Sequence, residues 1–317
     1  MIKIKSFLFK LLIITLFSLS CLHADDNNDD AASRSIISSF QNLTKSSQWQ
    51  LVSTVKQKFQ TYHPQGMVKI GDFIYLSAVE KIINPERFDS PQNGFDRTPG
   101  KGKGHLFKAD LNGNLIDQIT FGEGLMYHPG GIDYDGTYIW CPVAEYRPNS
   151  ASIIYRVHPD SLKPKKMFQF NDHIGAVIYN RENNTLHGMS WGSRRFYVWN
   201  MDDITQPNQL PEYDMHLNGN HYIAYQDCHY LGDHYALCSG LSQYIIPDVG
   251  KIAMGGVELL DLKSHIAIHQ IPVQFWVKPD LVMSNNPFFV EFMDDHLRCY
   301  FIPEDDNSTL YIYEVNH

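Results

Sequence analysis

The sequence predicts an all-β fold, a β-propeller of five four-stranded blades closed by the N-terminal strand. Three observations predict it. First, the chain repeats itself: "YHPQGMVKIGDFIYLSAVE", from Tyr62, and "YHPGGIDYDGTYIWCPVAE", from Tyr127, align without a gap, and self-similarity at a regular period marks repeat architectures. Second, short runs of Val, Ile, Tyr, Phe and Trp alternate with Gly, Asn and Asp turns. That is strand-and-hairpin composition, and no segment shows a helical apolar stripe sustained over three turns. Third, each repeat is followed by a second strand pair, giving four-stranded units spaced roughly 45 to 65 residues apart, the size of a propeller blade.

Taken in order, residues 1–24 have the three-part pattern of a secretory signal: Lys3, Lys5 and Lys10, an apolar run from Leu11 to Leu19, then small residues and Ala24. The run is too short to span a bilayer. Cleavage after Ala24 predicts a secreted or periplasmic protein. Lipid attachment through Cys21 is the alternative, but "SLSC" lacks a Leu three before the Cys. Residues 25–47 are polar and poor in aromatics, which predicts a solvated linker with at most one helical turn near Ile36. The propeller domain follows over residues 48–317.

"WQLVSTVKQKF", Trp49 to Phe59, is a lone strand before the first repeat. Three further copies of the repeat start at Asp172 ("DHIGAVIYN"), Tyr225 ("YQDCHYLGD") and Asn286 ("NPFFVEFMD"), the first of them aligned by setting Gly175 on Gly66 and Gly131. The outer strand pairs are "HLFKADLNGNLIDQITF", "SIIYRVHPDSLKPKKMFQF", "RFYVWNMDD" continuing to "YDMHL", and "GVELLDLKSHIAIHQIPV". The fifth copy has only "TLYIYEV", so the lone strand completes it and removes the open edges of the ring. Six blades would require a further copy that the sequence does not show. Asp135-Gly136 and Asn112-Gly113 predict tight type I′ hairpins.

Composition excludes several function classes. The net charge of −9 and the lack of a basic stripe argue against nucleic acid as a partner. No GxSxG, HExxH or Walker A pattern occurs. Cys141, Cys228, Cys238 and Cys299 lack CxxC spacing, which disfavours a cysteine zinc site. Cys228 and Cys238 are placed to bridge across a hairpin or to remain buried thiols, and Cys141 and Cys299 are expected free and buried. "DDNNDD" resembles a calcium loop in composition only.

Propeller geometry gives the repeated ends one address. The inner strand begins on the rim to which the second strand returns, so His63 and Glu80 share that rim, as do His128 and Glu145. Asp172 takes the corresponding place in blade three, Ala224 with His221 just before it in blade four, and Asn286 in blade five. Glu80, Glu145 and Trp191 lie one layer out; "AEYRPNS" adds Arg147 and Asn149 and "WGSRR" adds Arg194, with Arg195 expected to alternate away. Gly66, Gly131 and Gly175 are expected to let inner strands crowd the axis. His, carboxylate, Arg and Trp at a channel mouth suit a polar or anionic ligand, a metal, or acid–base chemistry. The expected roles are His128, Glu145 and Asp172 as catalytic groups, and His63, Glu80, Arg147, Trp191, Arg194 and His221 as ligand contacts. His63, His128 and Asp172 form the candidate site for a divalent metal, the cofactor considered. Each residue also has a structural reading: a His that caps a neighbouring strand, a Glu that is ion-paired, a Trp packed between blades. The other histidines (His105, His187, His229, His234, His296) read as core or surface residues. Because the rim residues differ from blade to blade, one asymmetric site is expected rather than five.

"HPGGIDYDG", "VAEYRPNS", "DHIG" and "SWGSR" resemble an uncharacterised, mainly bacterial family of secreted propeller-like proteins, a domain of unknown function, over most of Tyr62 to Val315. The resemblance implies the fold and brings no activity. More distantly, the layout is similar to gluconolactonase and strictosidine-synthase propellers, whose axial acidic and amide side chains hold a divalent cation. Histidines stand at those rim positions here, so that metal set does not transfer. The expectation is a monomeric, secreted propeller that binds or hydrolyses a small polar or sugar-like ligand, a metal-assisted hydrolase if it is an enzyme. The alternatives are a non-catalytic ligand-binding module and an interaction scaffold. In the scaffold, the long excursion "KIINPERFDSPQNGFDRTPGKGKG" would serve as a contact arm; over the site it would serve as a lid.

Overall fold

A computed structural model describes residues 31–204 and 206–315. The signal segment and Cys21 lie outside the described residues. Five four-stranded antiparallel sheets form the blades of the propeller. Their innermost strands are His63–Ile70, Met126–Pro129 (extended by Asp133–Tyr134), Ile174–Asn180, Ala224–Tyr230 and Phe288–Met293. The second strands are Phe73–Ile83, Ile139–Glu145, Thr185–Ser190, Tyr235–Ile246 and His296–Phe301. The ring closes as the sequence predicts. Trp49–Lys56 pairs antiparallel with Thr309–Val315 and becomes the outer strand of blade five.

Both faces of each blade are covered, which explains why the strands read as nearly unbroken apolar runs. In blade one, Val68, Tyr75 and Leu106 pack toward blade two with Ile132, Val143 and Ile153. The alternate residues Met67, Ile74, Leu76 and Phe107 pack toward blade five with Tyr300 and Leu310. Side chains alternate along a strand, so a single sheet serves two interfaces. Trp140, Phe168, Leu186 and Trp199 fill the contact between blades two and three.

Close approach of the inner strands requires glycine. A Cβ on Gly66 would lie 2.6 Å from the backbone of Gly131, and one on Gly130 would collide with the Gly175 carbonyl. Gly175 itself has ordinary clearance, 3.6 Å to the nearest atom. Gly130 is therefore the residue that sequence alignment overlooks.

Two local expectations change. Residues 31–42 are helical, not a solvated linker. Ile36, Ile37, Phe40 and Leu43 form its buried stripe, packed with Leu237, Val257 and Phe301 of blades four and five. His269 Nε2 contacts the Leu43 carbonyl at 2.9 Å, and Gln274 donates to the Lys45 carbonyl at 3.0 Å. The folded unit thus starts before residue 48. The hairpin turns also differ. A type I′ turn needs positive φ at both central residues, but only Gly136 and Gly113 have it. The preceding aspartates organise these loops instead. Asp135 Oδ1 accepts the Thr137 and Tyr138 amides at 2.7 Å each, and Asp110 Oδ1 accepts those of Asn112 and Asn114 at 2.9 and 2.8 Å.

Cys228 and Cys238 are direct cross-strand partners and form a disulfide, while Cys141 and Cys299 are free and buried. No helix among the described residues is long and apolar enough to cross a membrane.

Candidate functional site

The axis is closed below the rim by carboxylates. Asp227, fully buried on the inner strand of blade four, accepts the Met67 amide at 2.7 Å, Ile132 at 3.1 Å and Phe288 at 3.1 Å. Those amides come from blades one, two and five. Asp133 of blade two accepts the Tyr179 amide of blade three at 2.9 Å and the Tyr230 amide of blade four at 3.4 Å. His229 lies between them, 3.6 Å from Asp133 and 3.9 Å from Asp227, with Nε2 2.7 Å from the Phe288 carbonyl. Burial lowers the His229 pKa, but Asp133, Asp227 and that carbonyl outweigh it and leave the group raised. An imidazolium donating from Nε2 to the Phe288 carbonyl, with both carboxylates beside it, fits this arrangement.

Above this floor opens a cavity of about 690 Å³, a size suited to a small ligand. Three histidines stand in a row on its wall. The His128 ring centroid is 6.4 Å from that of His63 and 5.7 Å from that of His173. His63 Nδ1 is held by Asp305 at 2.7 Å, and His173 Nδ1 by the Glu145 carbonyl at 2.7 Å. His128 is 5% exposed, and neither of its ring nitrogens has a hydrogen-bond partner. Burial, with His173, His63 and Lys81 nearby, holds its pKa well below the usual histidine value. Burial likewise takes His173 down to about 4, against the pull of the Glu145 carbonyl and Asp172. Tyr146 lies 4.1 Å from the His128 ring and 6.1 Å from Trp191, so an aromatic wall runs beside the histidines.

Four of the residues expected from sequence line this cavity: His63, His128, Trp191 and His221. The others are engaged elsewhere. Asp172 accepts from Arg195 at 2.8 Å, from the Tyr197 hydroxyl at 2.8 Å and from the His173 amide at 2.8 Å. Glu145 pairs with Arg147 at 2.6 Å. Glu80 turns sideways to His105 at 3.1 Å and Lys103 at 3.2 Å. Arg194 contacts His221 Nδ1 at 2.8 Å and donates to the Asn220 carbonyl at 2.8 Å. The catalytic set His128, Glu145 and Asp172 is therefore not assembled.

The error at Asp172 is one residue of register. Pro64 pairs with Ala78, Pro129 with Val143 and Ile174 with Ser190, so the residues just before them, His63, His128 and His173, are equivalent. Aligning glycines put Asp172 there instead, because both blades share one bulge and Gly175 occupies the bulged position of Gln65, with Ala176 where blade one has Gly66. The ungapped match of "HPQG" with "HIGA" would have found His173. Asn286, expected at the rim of blade five, is on the wall, while the amide of Gln65 on the same wall carried no motif.

A divalent metal does not fit this donor set. Among the described residues no group of three or more His, Cys, Asp or Glu side chains is placed to hold one, and Asp172 is consumed by its own partners.

The excursion from blade one folds back over the rim. Arg87–Gln92 and Phe95–Arg97 form its ribbon. Arg147 of blade two stacks 3.5 Å above Phe95, and Arg97 lies 4.7 Å above Trp191 of blade three. The Tyr127 hydroxyl donates to the Pro99 carbonyl at 2.7 Å.

Fold and site together define a five-bladed propeller with a histidine-lined axial cavity. The chain belongs to a family of unknown function, DUF6454, which matches over residues 28–316. No curated protein matches it in sequence. Among solved structures it is similar to a mannose phosphorylase, MPT-4, from Leishmania mexicana, at 12% identity and TM-score 0.49, over 83% of this chain and 88% of that one. It is also similar to a luciferin-regenerating enzyme, at 10% identity and TM-score 0.47, over 86% and 95%. The tail fibre of Staphylococcus aureus phage P68 aligns at 11% identity and TM-score 0.45, over 87% of this chain and 54% of the fibre, so the chain spans about half its length.

Proposed function

We propose that this protein binds one small polar molecule on the propeller axis, at the cavity walled by His63, His128 and His173. The carrying observation is His128. A buried ring with two unpartnered nitrogens costs on the order of 1–3 kcal/mol per unsatisfied group, a cost that a bound ligand's hydrogen bonds offset. The equivalent positions in blades one to four read His63, His128, His173 and Ala224, so the ring offers one asymmetric site. Trp191 and Tyr146 supply flat faces of the kind that sugar-like rings stack on.

A hydrolytic reading rests on the same residue. A neutral imidazole with a free nitrogen accepts a proton, so His128 is the general base if the ligand is turned over. Paired-carboxylate glycoside hydrolysis has no support, because it needs two carboxyl groups flanking the bond and none lines the cavity. The arm's packing on its own blades favours a role at the cavity border over that of a free contact arm.

Titration calorimetry with a panel of neutral and acidic monosaccharides tests the proposal. Stoichiometry near one is expected, with binding lost in His128→Ala and kept in His296→Ala. A stoichiometry near five, or full binding by His128→Ala, would overturn it.

A further inference from the structure

We infer that the ligand of this cavity is an anion, a small molecule bearing a carboxylate or phosphate group, and that it is bound together with a proton. The inference rests on the axial-site reading above. It starts from a charge asymmetry. The chain carries a net charge of −9, yet no Asp or Glu is among the residues lining the cavity. The wall instead presents His63, His128, His173 and His221 with Lys251, and the side-chain amides of Gln65, Gln226 and Asn286.

The carboxylates nearest the rim each have a cation or hydroxyl partner. Asp172 has Arg195 and Tyr197, Glu145 has Arg147, and Glu80 has His105 and Lys103. Asp305 holds His63 Nδ1 and pairs with Lys81 at 3.2 Å. Behind the wall, Glu258 takes hydrogen bonds from Asn220, Tyr225 and Gln270.

Two buried donors remain without partners. His128 offers one N–H while neutral and a second once protonated, and Asn286, 5% exposed at φ 62°, offers Nδ2. Unmet donor capacity beside a lysine, with no carboxylate to compete, suits acceptor oxygens carrying negative charge.

The proton follows from the same geometry. His128 is faced by His63, His173, Lys81 and Tyr146, and His173 by Asp172, Arg97 and the Glu145 carbonyl. Within the free cavity wall these two rings are neutral. An anion against the His128 ring favours the imidazolium, so binding takes up a proton. Asp227 beneath the floor is satisfied by three amides, and the negative charges beside the histidine row are Asp305 on His63 and Asp172 next to His173.

The experiment compares D-glucuronate with D-glucose, which share a ring and differ by the carboxylate, and adds inorganic phosphate as a ringless anion. Calorimetry in buffers of differing ionisation enthalpy reads proton uptake, and NMR of labelled histidines reads protonation. Glucuronate should bind at least about tenfold more tightly than glucose, and phosphate should compete with it. Its affinity should fall by up to about tenfold per pH unit above neutrality, the limit for one linked proton. Lys251→Gln, at an exposed position, should weaken glucuronate severalfold and leave glucose unchanged. Glucose binding as tightly as glucuronate would overturn the anion and leave the axial site standing. Phosphate and glucuronate that shift no histidine resonance, or that bind without proton uptake, would overturn the inference as well.

Discussion

Asp227→Ala should unfasten the ring at its centre. Asp227 lies on blade four, and its three amide donors lie on blades one, two and five. The substitution leaves those N–H groups inside the protein without an acceptor and removes one of the two carboxylates beside His229. An unsatisfied buried amide costs about 1–3 kcal/mol, and breaking a buried charge pair about 3–5 kcal/mol. These overlap, because one carboxylate serves both, so a loss of about 3–5 kcal/mol is expected. Total stability of a domain is about 5–15 kcal/mol, so the loss is a large fraction of it. Asp227→Asn should cost less, about 1–3 kcal/mol, because its amide oxygen still accepts while its NH₂ faces an N–H. Urea unfolding followed by tryptophan fluorescence measures both. With m near 3 kcal/mol per M, the Ala midpoint should fall by roughly 1–2 M. A midpoint within about 0.3 M of the parent would refute the view that Asp227 ties the blades.

Phe40→Ala should cost about 3–5 kcal/mol, as expected for a fully buried aromatic, because Phe40 is 1% exposed against blades four and five; a loss under about 1 kcal/mol in the same urea assay would mean that the helix is only draped on the surface. Deleting Trp49–Lys56 removes the outer strand of blade five, and aggregation or unfolding by size exclusion and circular dichroism is expected, with a stable monomer as the refuting result. Stability should decline on both sides of about pH 6.5, the unfolded histidine value. His173, His187 and His265 are lowered by burial to about 4, 3 and 4, so their contribution is lost as pH falls through that window; His229 is raised, so its contribution is full below about pH 6.5 and is lost as pH climbs through its folded pKa. Urea midpoints across pH that stay level on both sides would contradict these assignments.

The sequence was most legible where one physical demand repeats. Blade number, strand order and closure by the N-terminal strand follow from the need to bury two faces per sheet and leave no open edge, and each demand leaves apolar runs and turn residues behind. The helix at residues 31–42 was less legible. Its stripe, Ile36, Ile37, Phe40 and Leu43, has helical spacing, but the polar residues between and the aspartates before it dominate the composition. At the rim, sequence identified the strand ends but not which way their side chains turn. Glu80 and Glu145 sit where expected, yet each is drawn sideways by a basic neighbour, Lys103 with His105 and Arg147. Register decided the rest: Gly175 stands at the bulge position that Gln65 holds in blade one, so a match on glycines set Asp172 where His173 belongs.

The two kinds of axial polar residue answer different physical needs. The inner strands leave amides facing the axis, and a buried N–H must have an acceptor. Asp227 and Asp133 meet that need from the centre, where one carboxylate reaches amides from several blades at once. Such carboxylates are required by closure itself, whatever the protein does. The rim is different, because solvent satisfies exposed amides there and no acceptor is demanded. A rim residue that stays buried and unpartnered, as His128 and Asn286 do, is not explained by closure. Function is therefore best sought in the unmet donors of the rim, while the acidic residues nearest the axis belong to the fold.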